Sequence, residues 1–403
     1  MKLRRILREI HDLWLIAGIT LLFFLLLEGI LSFAFFIKDR FIDSDESPSD
    51  RRVNADTFHH APWVESYFDE FRKCSEVSWE PYVYWRRPAF HGNHIQIDSS
   101  GVRRTVGAIK YSKEGIPFRI FMFGGSTLWG TAARDEGTIP SLLTAELAKR
   151  GFNVEITNYG ESGYVSTQEV ILLVTLLQRG VVPQLVIFYD GVNDTYSAYQ
   201  EKTAGLPQNE SHRVTEFNLS NPSSLRRRLV MDAQDFTGML STSRFMIGAL
   251  KRVGVQWEGK LAPAEHSVLN SRQTISLELL ARDVVDVYRG NIQVVVALGA
   301  HYHFGHLFYW QPTIFQKEHL TSYEAEKRKE VAQFEEHFLK TYELIPDALD
   351  FGENVRFADL SGIFSSKTEP LYADWCHVGE MGNGLIAERM AVDVLESKVL
   401  GTN

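Results

Sequence analysis

The sequence predicts an α/β chain, a parallel sheet flanked by helices, tied to a membrane by one N-terminal helix. Two observations predict the sheet. From Phe118 onward, short apolar runs alternate with longer helical patterns, and the connections between them are short. Several of the helical patterns also stop on glycine, as helices commonly do. The anchor rests on a third observation, an apolar run of bilayer-spanning length near the N-terminus.

That run is LWLIAGITLLFFLLLEGILSFAFFI, residues 13–37, with Glu28 as its one charge. It exceeds the apolar region of a signal peptide, and no small-x-small cleavage site follows, so the expectation is an uncleaved anchor. Residues 1–12 carry Lys2, Arg4, Arg5 and Arg8 against Glu9 and Asp12. The segment beyond the run mixes Lys38 and Arg40 with Asp39, Asp43, Asp45 and Glu46. This bias places 1–12 in the cytoplasm and the body of the chain on the exported side, periplasmic or extracellular. Glu28 costs on the order of 3 kcal/mol at a helix centre. It marks a helix partner or sits off-centre; the second is expected.

Residues 38–115 read as a linker and lead-in. The first part (KDRFIDSDESPSDRRVNADT) is polar and turn-rich, and WEPYVYWRRPAF and GNHIQIDSSGVR are extended or irregular, with aromatics that pack on a domain surface. The main domain is expected over 116–399. FRIFMFG is a strand, and TIPSLLTAELAKRG is a helix ending on Gly151. NVEITNYG is the next strand, and TQEVILLVTLLQRG a helix ending on Gly180. QLVIFYDGVND is a strand, LNSRQTISLELLARDVVDVYRG a helix and NIQVVVALG a strand. Between them, roughly 200–265 breaks the rhythm. NPSSLRRRLVMDAQDF and STSRFMIGALKRV there read as helices of an inserted lid, not a separate domain.

Composition narrows the function. A formal charge of −9 lacks the basic footprint of a general nucleic-acid binder. Two cysteines, Cys74 and Cys376, form no disulfide framework, though one bridge between them stays open. In FGGSTLWG no lysine follows the last glycine, which rules out a P-loop, and Thr127 stands where a dinucleotide fingerprint needs its middle glycine. The glycines instead allow a tight turn that presents Ser126.

Ligands of open parallel sheets bind beyond the carboxyl ends of the strands. Ser126 follows the first strand, Gly160 and Gly163 the second, and Asp190, Gly191, Asn193 and Asp194 the third. ADWCHVGEMGNGLIAERM, at a helix start, adds Asp374 and His377. A serine hydroxyl needs a base, and His377 supplies one. Asp374, three residues earlier, can fix the imidazole tautomer. Oxyanion donors are then the N–H of Ser126, the N–H of Gly163 and the side-chain amide of Asn193.

Ser126 in FGGST, Gly163 in NYGESGY, Asn193 in DGVND and His377 in DWCH, in that order, resemble the GDSL/SGNH hydrolase superfamily. The resemblance covers roughly 116–395 without the insertion. It implies a flavodoxin-like three-layer α/β/α sandwich and a serine esterase without cofactor or metal. Gly125 stands where the family's first block has Asp, which resembles the FGGST-type, often membrane-anchored branch; YWQPTIF resembles that branch too. The departure leaves the mechanism standing and weakens any transfer of specificity.

Each residue also has a plainer role. Ser126 could cap the following helix, Asn193 could build a turn, and Gly160 competes with Gly163. Asp190 and Asp194 are expected to bond loop backbone, Asn193-Asp194-Thr195 to match a glycosylation sequon by chance, and Cys376 to be buried. HYHFGH invites a metal reading through His301, His303 and His306, but without a carboxylate or cysteine nearby they are expected to line the pocket wall. Tyr302, Phe304, Phe308, Tyr309 and Trp310 could stack on sugar faces or form a core edge. The expected substrate is an ester, such as O-acetyl on an envelope glycan. The alternatives are an O-acyltransferase using the same acyl-enzyme and a non-catalytic protein binding a glycan or partner.

Overall fold

The computed structural model describes residues 2–37, 50–107, 116–220, 240–252, 276–349 and 355–400. The chain forms two compact units, one of Met1–Ser49 with Ser211–Arg272 and one of Asp50–Glu210 with Gln273–Asn403.

In the first unit the helix Lys2–Ile37 contains a stretch, Glu9–Ile37, long and apolar enough to cross a membrane. Glu28 does have a helix partner. Its carboxylate accepts the backbone N–H groups of Ser241 and of Thr242 (3.0 Å for the latter), at the start of the helix Ser241–Arg252. Ser32 Oγ meets Ser241 Oγ at 2.8 Å. Orphan N–H groups at a helix start favour such an acceptor, so the charge is compensated. The insertion expected over 200–265 is therefore divided. Residues up to Glu210 stay with the sheet, and Ser211–Arg272 joins the N-terminal helix in a unit of its own. STSRFMIGALKRV is largely helical, as Ser241–Arg252. NPSSLRRRLVMDAQDF lies outside the described residues.

The second unit begins at Asp50, so the lead-in from that point is folded rather than irregular. It contains the helix Val64–Lys73, a hairpin of β1 (Ser78–Glu80) and β2 (Tyr84–Arg86), and a shorter one of β3 (Phe90–His91) and β4 (Gln96–Ile97). Phe58, Val64, Tyr67, Phe68, Ile95 and Ile97 form a small core with Trp129 and Ala373. Trp129 and Ala373 neighbour the two loops that carry Ser126 and Asp374.

The main sheet has β5 (Phe118–Gly124), β6 (Val154–Asn158), β7 (Leu185–Asp190), β8 (Gly305–Trp310) and β9 (Arg356–Asp359) in the order β6-β5-β7-β8-β9. All four pairings are parallel. This is the 2-1-3-4-5 order of flavodoxin-like folds, with its switch point between β5 and β7. Buried Ile120, Met122, Phe123, Val186, Ile187, Phe188, Leu307 and Phe308 fill both faces, as parallel strands between helix layers require.

One expected strand is helix. NIQVVVALG continues the preceding helix, which runs from Leu277 to Tyr302. Val284, Val285, Tyr288, Ile292, Val295 and Gly299 are buried, a spacing of three and four that puts one face on the sheet. An apolar run rich in β-branched residues fits a buried strand or a buried helix, and here the helical period prevails. The strand that follows is GHLFYW.

This moves the histidines. His301 lies in the last turn of that helix, His303 ends it in the left-handed conformation (φ 63°), and His306 pairs with Val186 near the amino end of β8. They stand at the opposite edge of the sheet from the carboxyl ends and do not line the pocket wall. Phe304, Phe308, Tyr309 and Trp310 are buried in the core and offer no face to a sugar. Cys74 and Cys376 are free thiols, both buried.

Candidate active site

β5 delivers Ser126 to the switch point. Gly124 and Gly125 close the strand because there is no room for more: a Cβ on Gly124 would stand 2.7 Å from the Tyr189 carbonyl. A short helix, Ser126–Trp129, begins at once and ends at Gly130, whose φ of 100° suits glycine. The lead-in braces this turn. Tyr67 Oη donates to the Gly130 carbonyl (3.2 Å) and accepts the Ala132 N–H (3.0 Å). Buried Arg103 donates to the carbonyls of Trp129, Gly130 and Ala133 and pairs with Asp135 at 3.0 Å. The guanidinium groups of Arg87 and Arg103 each lie 4.2 Å from the Trp129 ring.

Asp374 and His377 lie in the loop that leads to the helix Glu380–Glu396. Asp374 Oδ1 accepts the backbone N–H groups of Cys376 (3.0 Å) and His377 (2.8 Å), which folds the loop onto itself. Ala373 N–H donates to the His377 carbonyl at 2.8 Å, and Ile314 N–H to that of Trp375 at 3.0 Å.

The structure brings Ser126, His377 and Asp374 into one row. His377 Nδ1 lies 2.7 Å from Asp374 Oδ2, and His377 Nε2 lies 2.7 Å from Ser126 Oγ. A carboxylate only accepts, so Nδ1 carries the proton and Nε2 faces the serine as an acceptor. Burial works to raise the pKa of Asp374, but the His377 imidazole and the Arg52 guanidinium outweigh it. The carboxyl is held well below its usual range, charged at any physiological pH.

Two further groups extend this row. Arg52 Nη1 stands 3.5 Å from Asp374 Oδ2, while Arg52 Nη2 pairs with Asp50 Oδ2 at 2.6 Å. The Arg52 guanidinium rests on the rings of Phe68 and Phe71, 5.1 and 5.0 Å from their centroids.

Of the expected oxyanion donors, Asn193 packs against the serine turn. Asn193, behind β7, places Nδ2 where a Cβ on Gly125 would stand, 2.0 Å from that point. Its Oδ1 accepts from Gln208 Nε2 at 3.2 Å, which fixes the amide with Nδ2 toward the serine turn. Gly160 N–H is taken by Asn158 Oδ1 at 3.0 Å, and Gly163 stands at φ 78°. Among the described residues no acceptor within the chain takes the N–H of Ser126 or of Gly163.

Asp194 Oδ1 accepts the N–H (3.1 Å) and hydroxyl (2.6 Å) of Ser166, and so bonds to the first residue of the helix Ser166–Gln178 rather than to a loop. Asp190 is buried beside Glu169 and Tyr288. Burial, then the neighbouring acids, push Asp190 and Glu169 well above the carboxylate range.

Asp374, Cys376 and His377 place ligand atoms within 4.8 Å of one another. The donor set suits a proton relay better than a cation. Nδ1 is protonated toward Asp374, and burial pushes the Cys376 thiol far up, away from the thiolate a metal needs.

No local pattern in the sequence points to Arg52 or Gln208.

No protein-family model and no characterised protein sequence matches the chain. Among solved structures it is similar to a G-D-S-L family lipolytic protein from Veillonella parvula, at 13% identity over 69% of this chain and 98% of that one, with a TM-score of 0.37. A lipase/acylhydrolase from Enterococcus faecalis is 14% identical over 69% and 96%, with a TM-score of 0.35. The acetylxylan esterase Axe2 from Geobacillus stearothermophilus is 13% identical over 72% and 98%, with a TM-score of 0.33. In its strand order, and in the four blocks gathered at the carboxyl edge of the sheet, the chain resembles the GDSL/SGNH hydrolases.

Proposed function

We propose that the chain is a serine esterase. The carrying observation is the unbroken row from Asp374 through His377 to Ser126, with 2.7 Å at each step, at the carboxyl edge of a parallel sheet. Ser126 Oγ attacks the ester carbonyl and gives its proton to His377 Nε2. The carbonyl oxygen becomes an oxyanion, held by the N–H groups of Ser126 and Gly163 and the Asn193 amide. The intermediate collapses, the C–O bond to the alcohol breaks, and His377 passes its proton to the departing oxygen. Water then gives a proton to His377 Nε2 and attacks the acyl carbonyl; the bond to Ser126 Oγ breaks, His377 returns the proton to Oγ, and the acid leaves. Asp374 stays ionised and orients the ring throughout.

The substrate class is a small acyl ester, O-acetyl on an envelope glycan, with the sheet unit on the exported side of the membrane. The basic residues before the apolar helix support that placement. The test is release of acetate from 4-nitrophenyl acetate and from an O-acetylated oligosaccharide, beside Ser126→Ala and His377→Ala. Chelator-resistant turnover that falls at least about 10³-fold in both variants supports the reading. Turnover that survives Ser126→Ala rejects it. Transfer of acetyl to an added oligosaccharide hydroxyl, in place of acetate release, would make the enzyme an acyltransferase.

A further inference from the structure

Four aromatic rings run from the serine turn to solvent. Tyr164 is buried next to Gly163, and the Trp85 ring lies 5.7 Å from it, edge to face. Trp85 Nε1 donates to the Ser162 carbonyl at 2.8 Å, and its Cζ2 stands 3.3 Å from where a Cβ on Gly163 would be. Tyr84 stacks on Trp85 at 6.5 Å, and Trp79 follows at 5.3 Å from Tyr84. Trp79 is 67% exposed, and Tyr82, at the tip between β1 and β2, is 75% exposed.

The backbone that presents these rings is strained. Tyr82 and Tyr84 have φ of 71° and 73°, a region that disfavours any residue with a Cβ. An aromatic side chain held so, and left in water, needs a reason beyond packing. The charge around the strip is acidic: Glu76 is exposed and Glu80 half-buried, while Arg86 and Arg87 are buried, with Arg87 paired to Glu161. This disfavours an anionic lipid surface or a uronic acid. Flat faces with an acidic rim, continuous with the glycine at the reacting carbonyl, suit the apolar face of an uncharged pyranose ring.

We propose that Trp79, at the end of the strip that leads to Trp85, and Tyr82, at the tip of the same hairpin, form a subsite for a neutral glycan chain on the alcohol side of the ester. This rests on the esterase reading for its register with Ser126, but binding itself does not. Trp79 and Tyr82 lie outside the catalytic machinery, so both can be replaced without touching it.

The full chain in detergent is assayed as wild type, Trp79→Ala and Tyr82→Ala. With partially O-acetylated xylohexaose, kcat/KM is expected to fall about tenfold in each variant, the size of one lost aromatic contact. Turnover of 4-nitrophenyl acetate is expected to stay within twofold of wild type. Equal loss on both substrates, or loss on neither, overturns the subsite. Binding is measured separately by calorimetry in Ser126→Ala, using xylohexaose, cellohexaose and chitohexaose. Binding of at least one, lost when Trp79→Ala is added, supports the subsite even if no esterase activity is found. Binding of none overturns it while leaving the esterase reading intact. In liposomes, brominated lipid that quenches the emission missing from Trp79→Phe would place Trp79 in the membrane and also overturn it.

Discussion

Asn193 Nδ2 occupies the space that a side chain on Gly125 would need: a Cβ there would stand 2.0 Å from it. The glycine before Ser126 is thus required by the Asn193 amide, not by its dihedral angles, since φ is an ordinary −79°. The atom in the way is the end of a movable side chain, so Gly125→Ala folds and swings the amide out. We expect kcat to fall about 100-fold with KM little changed. Asn193→Ala should give the same loss, and the double variant no more than either single one. Losses that multiply would mean that the two residues act separately.

Gln208 holds Asn193 by donating to its Oδ1 at 3.2 Å. Gln208→Glu replaces that donor with an acceptor, which turns the amide and draws Nδ2 away. Its kcat should approach that of Asn193→Ala, whereas Gln208→Ala should cost only about tenfold. Steady-state kinetics of the two variants side by side check this.

The charges at Asp50, Arg52 and Asp374 alternate beside His377. Arg52 helps to hold the Asp374 carboxyl charged. Arg52→Gln should weaken that hold and lower kcat about tenfold. Asp50→Asn, which leaves the guanidinium to Asp374 alone, should not lower kcat. Steady-state kinetics of the two variants check this, and equal losses in both would assign the cluster a merely structural role.

Much of this was legible because chemistry limits residue choice. A nucleophile at a strand end, a D-x-x-H pair and amide donors at the neighbouring strand ends can be found in order along a chain. The strand FRIFMFG and the helix over TQEVILLVTLLQ were readable from period and glycine stops. NIQVVVALG was not, because an apolar run does not reveal its period until the sheet chooses a face. Arg52 was illegible for another reason. It meets Asp374 across 322 residues of sequence, and no local pattern encodes that contact. Gln208 meets Asn193, and Trp85 the Ser162 carbonyl, through contacts that only the fold supplies.

Stability should carry its own pH signature. Burial pulls His337 down to about 4, so the folded chain keeps it neutral. The unfolded chain takes up that proton near the ordinary value of about 6.5. Stability from this group is full above pH 6.5 and is lost as pH falls toward 4, by on the order of 3 kcal/mol. His337→Leu should flatten the fall in Tm across that window, while a slope unchanged by the substitution would assign it to other groups.

The most direct test of the central claim is covalent. The full chain is treated with a fluorophosphonate, digested, and the adduct mapped by mass spectrometry. The account predicts one adduct, on Ser126, absent from His377→Ala and reduced in Asn193→Ala. An adduct on another residue, or undiminished labelling of Ser126→Ala, would contradict it.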